Sequence, residues 1–440
     1  MENFKKHQII LIFLLFAVSF FAYFPAVTAD FATLDDLAIL SGTNKTPELT
    51  THNVLKIFTE DHLGLYHPLV TLSFSAERHF FGLVPAFYHV NNMLLHIFST
   101  ILVFLIFIRL TNSFAVTYII SALFAVHPVH VEVVAWVSAR KDTLYSVFYL
   151  TAILLYIKTY DKKNIKTLIT ISSFCFLMAC FSKAMAITLP FILILIDYFK
   201  DNFSIKKIKL YIPYGVISLV FIAVGIWSHY RNDIETTFVF TTLVKNILNA
   251  HFHVLFYIYK FILPVKLYCM YPPFYNISSI PPWYILLSPV LFYLILYYVF
   301  LSLRKTKKIF FGFMFFLIVL LPSSGLLPMG IAPVADRYVY LAYIGLFYIF
   351  AETAVYAYNR SNKILKMILI YLSVLTAVVL IYLSFNRSLD WKKQNFGPPG
   401  GQPGYETSVD NSNLRDILLS MEFDKRNNAI KPLISQQPTK

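Results

Sequence analysis

Apolar runs of roughly 15 to 20 residues recur along this chain from near its N-terminus to Phe385, with polar residues gathered in short stretches between them. A helix of about 20 residues crosses a hydrocarbon core of about 30 Å, and helices bond their backbone internally, as lipid requires. The pattern predicts an all-α polytopic membrane protein with crossings at 9–24, 93–108, 114–126, 143–157, 168–181, 184–199, 210–227, 283–303, 309–321, 338–357 and 364–385. An alternative for the first run is a cleaved signal peptide ending at Val27-Thr28-Ala29.

Charge orients these eleven segments. Lys5 and Lys6 precede the first, and the lysine-rich stretches 158–166 and 200–209 lie two crossings apart, so all belong on the cytoplasmic side. The run 238–263 carries Lys245, His251, His253 and Lys260; if it crossed, the cluster Arg304, Lys305, Lys307 and Lys308 would fall outside. It is therefore expected to be a re-entrant or interfacial helix on the outer side. The N-terminus is then cytoplasmic and the C-terminus periplasmic or lumenal. Residues 1–390 form the transmembrane domain, with a first outer loop at 29–92, and 391–440 a polar tail opened by the breaker GPPGGQPG, with one short helix at 411–434.

Composition agrees with this picture. Of 440 residues 58% are hydrophobic and 14% charged, with a mean hydropathy of +0.64, which excludes an ordinary soluble domain. The net charge of +14 follows the positive-inside pattern, so no nucleic-acid partner is inferred. Cys175, Cys180 and Cys269 lack metal-ligand spacing and are expected to pack.

Three outer stretches could carry chemistry. The first supplies Asp35 and Asp36 just beyond the first crossing, and further on His67, His89 and Asn92. The second is HPVHVEVVAWVSARKD, with His127, His130, Glu132, Arg140, Lys141 and Asp142 between two apolar runs; the third ends in Asp336 and Arg337. Ionisable groups at a bilayer boundary are costly unless paired or working. Arg140 and Lys141 sit outside against the charge bias, so Asp142 or a phosphate should compensate them. Asp35 and Asp36 are either a solvated helix start or a general base that deprotonates an acceptor hydroxyl, with Arg140, Lys141 or Arg337 meeting leaving-group charge. Lys183 opens a crossing on the same side, as a snorkelling residue or a phosphate contact. His127, His130 and Glu132 are metal-ligating types, but on one continuous helix Glu132 points away from both histidines; no bound metal is expected unless Pro128 breaks the helix and brings them together. Glu352, inside a crossing, is expected to be paired, and Asn44-Lys45-Thr46 and Asn386-Arg387-Ser388 match the glycosylation acceptor pattern, a frequent chance match.

HPVHVEVVAWVSARKD, LYHPLVTLSF, FYHVNNMLLH and ADRYVYLAYIGL stand in this order. With them the chain resembles the membrane half of the transmembrane and tetratricopeptide-repeat O-mannosyltransferases and their bacterial relatives, within the GT-C superfamily, over roughly residues 5 to 390. The resemblance implies a catalytic acid in the first outer loop, here Asp35 or Asp36, and a polyprenyl- or dolichyl-phosphate sugar donor read at the outer face. It also implies a donor site lined by 127–142 and by Asp336 and Arg337. His67 stands where relatives commonly carry an arginine, and the repeats are absent or reduced to a stub after Trp391. The expected function is an inverting glycosyltransferase moving a sugar, mannose on this resemblance, to a hydroxyl of a protein or glycan acceptor. A transporter of lipid-linked glycan or small molecules is the alternative, and a non-catalytic scaffold a third.

Overall fold

Every expected crossing coincides with a helix in the computed structural model, which describes residues 2–40, 48–60, 66–231, 240–269, 271, 274, 280–326 and 334–394. The helices are α1 (Glu2–Val27), α2 (Asp36–Leu40), α3 (Thr51–Thr59), α4 (Pro68–Phe81), α5 (Pro85–Thr111), α6 (Phe114–Val126), α7 (Val131–Ala135) and α8 (Arg140–Lys158). They continue with α9 (Ile165–Ser182), α10 (Leu189–Phe199), α11 (Ile208–Arg231), α12 (Phe240–Ile262), α13 (Trp283–Ser302), α14 (Lys308–Leu320), α15 (Tyr343–Arg360) and α16 (Lys363–Lys392). No strand occurs among the described residues.

Six of these helices are long and apolar enough to cross a membrane, lying at His7–Val27, Pro85–Thr111, Ile165–Ser182, Ile205–Trp227, Trp283–Ser302 and Lys363–Lys392. A seventh arises if Phe114–Val126 and Pro128–Ala135, bent by 46°, are one broken span. The count of eleven is thus not reproduced on this criterion. Ala184–Phe199 and Lys308–Ser323 are apolar but shorter. The expected crossings 143–157 and 338–357 fall on α8 and α15, which carry too many polar side chains. The reason is their position: α8 buries Asp142, Thr143, Ser146 and Tyr149 against neighbouring helices, so protein rather than lipid surrounds its polar groups. Hydropathy reports lipid-facing helices better than interior ones.

Several features position the helices around the α6 break. Gly312 on α14 and Gly345 on α15 let two backbones meet, since a Cβ on Gly345 would overlap the Gly312 carbonyl. Helix α12 is one continuous helix and is not among the helices long and apolar enough to cross. Its Tyr257 accepts from the Ala335 N–H (3.2 Å) and from the Tyr343 hydroxyl at its own carbonyl (2.6 Å), steadying the segment before Asp336. The first outer stretch, expected as a polar loop, is largely helical (α2, α3, α4), and α5 begins within it. Helix α16 is exposed on nearly all sides over residues 364–379, then packs on α1, where Phe21 and Phe385 stack at 5.5 Å. The expected tail lies outside the described residues beyond Gln394, as does the Asn44 acceptor pattern. Glu352 pairs with Lys308 at 2.7 Å, as the sequence suggests.

Candidate active site

The site begins where α6 ends. Pro128 fixes its own φ and has no N–H, and α6 stops at Val126 with the carbonyls of its last turn unmatched by helix donors. The N–H of the capping residue and side chains take them. His127 N bonds the Leu123 carbonyl (2.9 Å), His130 Nδ1 the Phe124 carbonyl (2.8 Å), His96 Nε2 the Ala125 carbonyl (3.2 Å), and Ser384 Oγ the Val126 carbonyl (2.7 Å). His130 of this motif is therefore a side-chain cap, while His127 sits at the cap position and bonds α6 through its backbone. His127 also stacks on Phe261, whose carbonyl lies 3.3 Å from its Nε2. No group of three His, Cys, Asp or Glu side chains among the described residues is arranged to hold a metal ion, and Glu132 is engaged elsewhere.

Beyond Pro128 the chain advances by short turns: Pro128–His130, α7, Val137–Ala139, then α8. Residues 127 to 142 are all buried except Lys141, which is half-buried. This is a packed plug rather than an open loop, and it is tied to each neighbouring outer segment.

The tie to the first outer segment is Asp36, which is 0% exposed. Its Oδ1 accepts from the Ser138 N–H at 2.8 Å and from the Ser138 hydroxyl, and its Oδ2 from the Ala32 N–H at 2.9 Å. Burial pushes its carboxyl up to about 6 against the opposing pull of these donors. Asp35, the preceding residue, is exposed. The doublet thus divides, with one aspartate holding the loops together and the other facing outward.

Arg140 turns inward, 1% exposed. It donates to Glu77 Oε1 (2.9 Å), the Tyr88 carbonyl (2.9 Å), Ser73 Oγ (3.4 Å) and the Asn92 side-chain oxygen. The expected phosphate contact at Arg140 is corrected here: four protein acceptors, on α4 and α5, already occupy its fork. Asn92 also donates to the Trp136 carbonyl at 2.9 Å, His89 is buried between the backbones of Asp30 and Ala135, and His67 caps the start of α4. Asn92 and His89 position the plug.

The tie to the third outer segment is Arg337, which donates to Glu132 Oε1 at 2.6 Å and lies over the rings of Trp136 and Tyr338 at 5.2 Å each. Its neighbour Asp336 accepts from the Tyr271 hydroxyl at 2.7 Å. Burial and the nearby Glu132 charge push the Asp336 carboxyl up. Lys183 pairs with Asp142 and lies 6.0 Å from the Tyr338 ring. Lys141 feels the charges of Arg337, Asp142, Lys183 and Asp35 together. The three segments that the sequence singled out therefore meet, and Lys141, which feels Arg337 and Lys183, also feels the exposed carboxylate of Asp35. Glu132 Oε2 and Asp142 Oδ2 are buried without a hydrogen-bond partner among the described residues.

Sequence reasoning missed Glu77, Ser138 and Arg387. A lone acid within the apolar segment 68–81 was the available signal for Glu77; Ser138 offered none, and Arg387 lay hidden at the end of an ordinary apolar run.

No family model matches the chain, and no solved structure does. Among curated proteins it is 25% identical over 409 residues to the protein O-mannosyl-transferase F38B6.6 of Caenorhabditis elegans, an alignment covering 87% of this chain and 56% of that protein. It is 35% identical over 147 residues to Tmtc1 of Drosophila melanogaster (32% of this chain, 17% of that protein) and to human TMTC2 (31% and 17%). This chain thus spans about half the length of the nematode protein. The relatives to which it is similar carry the name protein O-mannosyl-transferase, and the similarity to the nematode protein runs across most of the chain.

Proposed function

We propose that this protein is an inverting glycosyltransferase that moves mannose from a polyprenyl-phosphate carrier to a hydroxyl of a protein acceptor, at the periplasmic or lumenal face of its membrane. The observation that carries the reading is the meeting of three outer segments through Asp36 with Ser138 and Glu132 with Arg337, with Asp35 exposed next to Asp36 and its charge felt by Lys141, which also feels Lys183 and Arg337. In the reaction, Asp35 takes the proton of the acceptor hydroxyl as its oxygen attacks the anomeric carbon. The bond from that carbon to the phosphate oxygen breaks, the phosphate leaves with the electron pair, and Lys141, Lys183 and Arg337 meet its charge. Attack opposite the leaving group inverts the anomeric centre. Asp36, with both oxygens bonded, positions the loop.

The architecture in this reading is GT-C-like, with eleven crossings; α8 and α15 and the two shorter apolar helices cross inside the bundle, the N-terminus is cytoplasmic and the C-terminus outside. The names of the relatives support mannose and a protein acceptor. A transporter would place its ionic groups near the bilayer midplane, whereas here they gather where α6 breaks and α8 begins.

The test is transfer by the purified full chain in lipid nanodiscs, given mannosyl polyprenyl phosphate and a serine/threonine-rich peptide. The expected result is release of polyprenyl phosphate and a mannosylated peptide, with Asp35→Asn slowing turnover by about 10²- to 10⁴-fold, the usual worth of a general base. Undiminished turnover in folded D35N protein would sink the assignment.

A further inference from the structure

The last helix reads in the sequence as one more apolar crossing, yet its final turns are stitched into the site. Besides the Ser384 cap on α6, Ser388 Oγ donates to the Ala22 carbonyl (3.3 Å), and Gln394 both donates to the Phe31 carbonyl (2.9 Å) and accepts from the Thr33 N–H (3.1 Å). Trp391 stacks on Trp136 with ring centres 6.0 Å apart, and Trp136 also carries the Arg337 guanidinium at 5.2 Å. Residues 384 to 394 are thus a fourth wall of the site.

Arg387 lies within this wall, its side chain 11% exposed. Among the described residues its one ion-pair contact is with Asp390 at 4.0 Å, at the limit of such an interaction, and its Nη2 is buried with no hydrogen-bond partner there. Its charge acts on Glu132 and Asp336. Glu132 in turn keeps Oε2 buried and unpartnered. A cation and a carboxylate within electrostatic reach, each with an unused polar atom, would be expected to close on one another, because a buried unmatched donor or acceptor costs about 1–3 kcal/mol. They do not. What satisfies both is a group that offers an acceptor oxygen to the arginine and a hydroxyl donor to the carboxylate. A sugar phosphate offers both.

We propose that Arg387 and Glu132 form the sugar-phosphate subsite of this protein, with Arg387 Nη2 donating to a phosphate oxygen of a polyprenyl-phosphate hexose and Glu132 Oε2 accepting from a sugar hydroxyl. The assignment rests on the glycosyltransferase reading above. It adds a residue from the last helix to the donor site and separates what recognises the phosphate from what recognises the sugar.

The experiment is a binding titration of the full chain in nanodiscs with two probes, a short-chain polyprenyl phosphate and the same lipid carrying mannose, followed by tryptophan fluorescence, to which Trp136 and Trp391 contribute. Arg387→Met removes the buried charge and leaves an apolar side chain of similar length, the kind of exchange that buried ion sites tolerate. It is expected to weaken both probes by about tenfold, as the loss of one hydrogen bond to a charged group predicts, with Arg387→Lys restoring part of the loss. Glu132→Gln, which keeps an acceptor for Arg337, is expected to weaken the mannosylated probe by a similar factor and to leave the unglycosylated one unchanged. Arg360→Gln, an exposed residue at the C-terminal end of α15, should change neither. If folded R387M protein, or R387Q where R387M does not fold, binds both probes as the wild type does, the subsite is overturned and the glycosyltransferase reading stands. If the wild type binds neither probe, both fall.

Discussion

At the start of α8 the Asp142 carboxylate accepts from Lys183 and leaves its second oxygen unused. Near the other end of the same helix, at Tyr156 about 21 Å along the axis at 1.5 Å per residue, lies the equally buried Asp197, with both oxygens occupied. Tyr156 (2.7 Å) and Tyr211 donate to its Oδ2, and Tyr160 and Asn202 (3.3 Å) to its Oδ1. Each carboxylate lies in a cluster that joins α8 to other segments. One cluster has as many donors as its carboxylate can use, and so holds α10, α11 and the end of α8 together. The other has cations in excess of its closed bonds and carboxylate oxygens left over. Burial alone does not mark a binding group; burial with unmatched capacity does.

That contrast can be broken most forcefully at the saturated end. Asp197→Ala strands three tyrosine hydroxyls, at about 1–3 kcal/mol for each buried donor left unmatched, so thermal unfolding should show a loss of about 3 kcal/mol or more, with turnover per folded molecule unchanged. A loss of turnover without a loss of stability would reverse the roles assigned to the two ends.

The next effect is one of pH, at Asp36. Its folded carboxyl holds a proton up to about pH 6, whereas the unfolded chain releases it near 3.8. Between these values the folded state binds more protons, so this group's stabilisation is complete below about pH 4 and is lost as pH rises through 6, on the order of 3 kcal/mol. Melting temperatures of wild type and Asp36→Asn across pH 4 to 7 should diverge by that amount, the wild type losing more as pH rises; parallel curves would remove Asp36 from the account. A smaller effect belongs to the unsaturated end. Asp142→Asn keeps an acceptor for Lys183, so it should cost about tenfold in donor affinity, roughly 1.4 kcal/mol, and little in melting temperature. Smallest is the surface pair Lys307–Asp201, in which the aspartate is 79% exposed; Lys307→Ala should change stability by less than about 1 kcal/mol, and a larger change would show that this edge is tied into the Asp197 cluster.

Much of this was legible in the sequence. The helices stand where the apolar runs predict them, because period and length are local properties of the chain. The meeting of the segments carrying Asp36, Glu132 and Arg337 was legible too, since charge bias placed all three on one face. What the sequence hid depends on which way a side chain turns. Asp35 and Asp36 are neighbours, but α2 begins between them, and one faces outward while the other accepts from Ser138. Arg140 looked like a phosphate ligand because its partner Glu77 lies 63 positions away on a helix that had no apparent part in the site. Hydropathy alone does not reproduce the eleven crossings for a related reason: interior helices such as α8 are tuned to their neighbours, and their composition says little about lipid.

The break at Pro128 has a consequence for the medium in which a reaction would run. An interrupted helix usually recruits solvent to its loose carbonyls, but here His130, His96 and Ser384 occupy those positions, so the kink needs no water of its own. A glycosyl donor held nearby would meet fewer competing nucleophiles, and wasteful hydrolysis of the activated sugar would be suppressed in part by His130, which at first glance looks like a ligand for a metal.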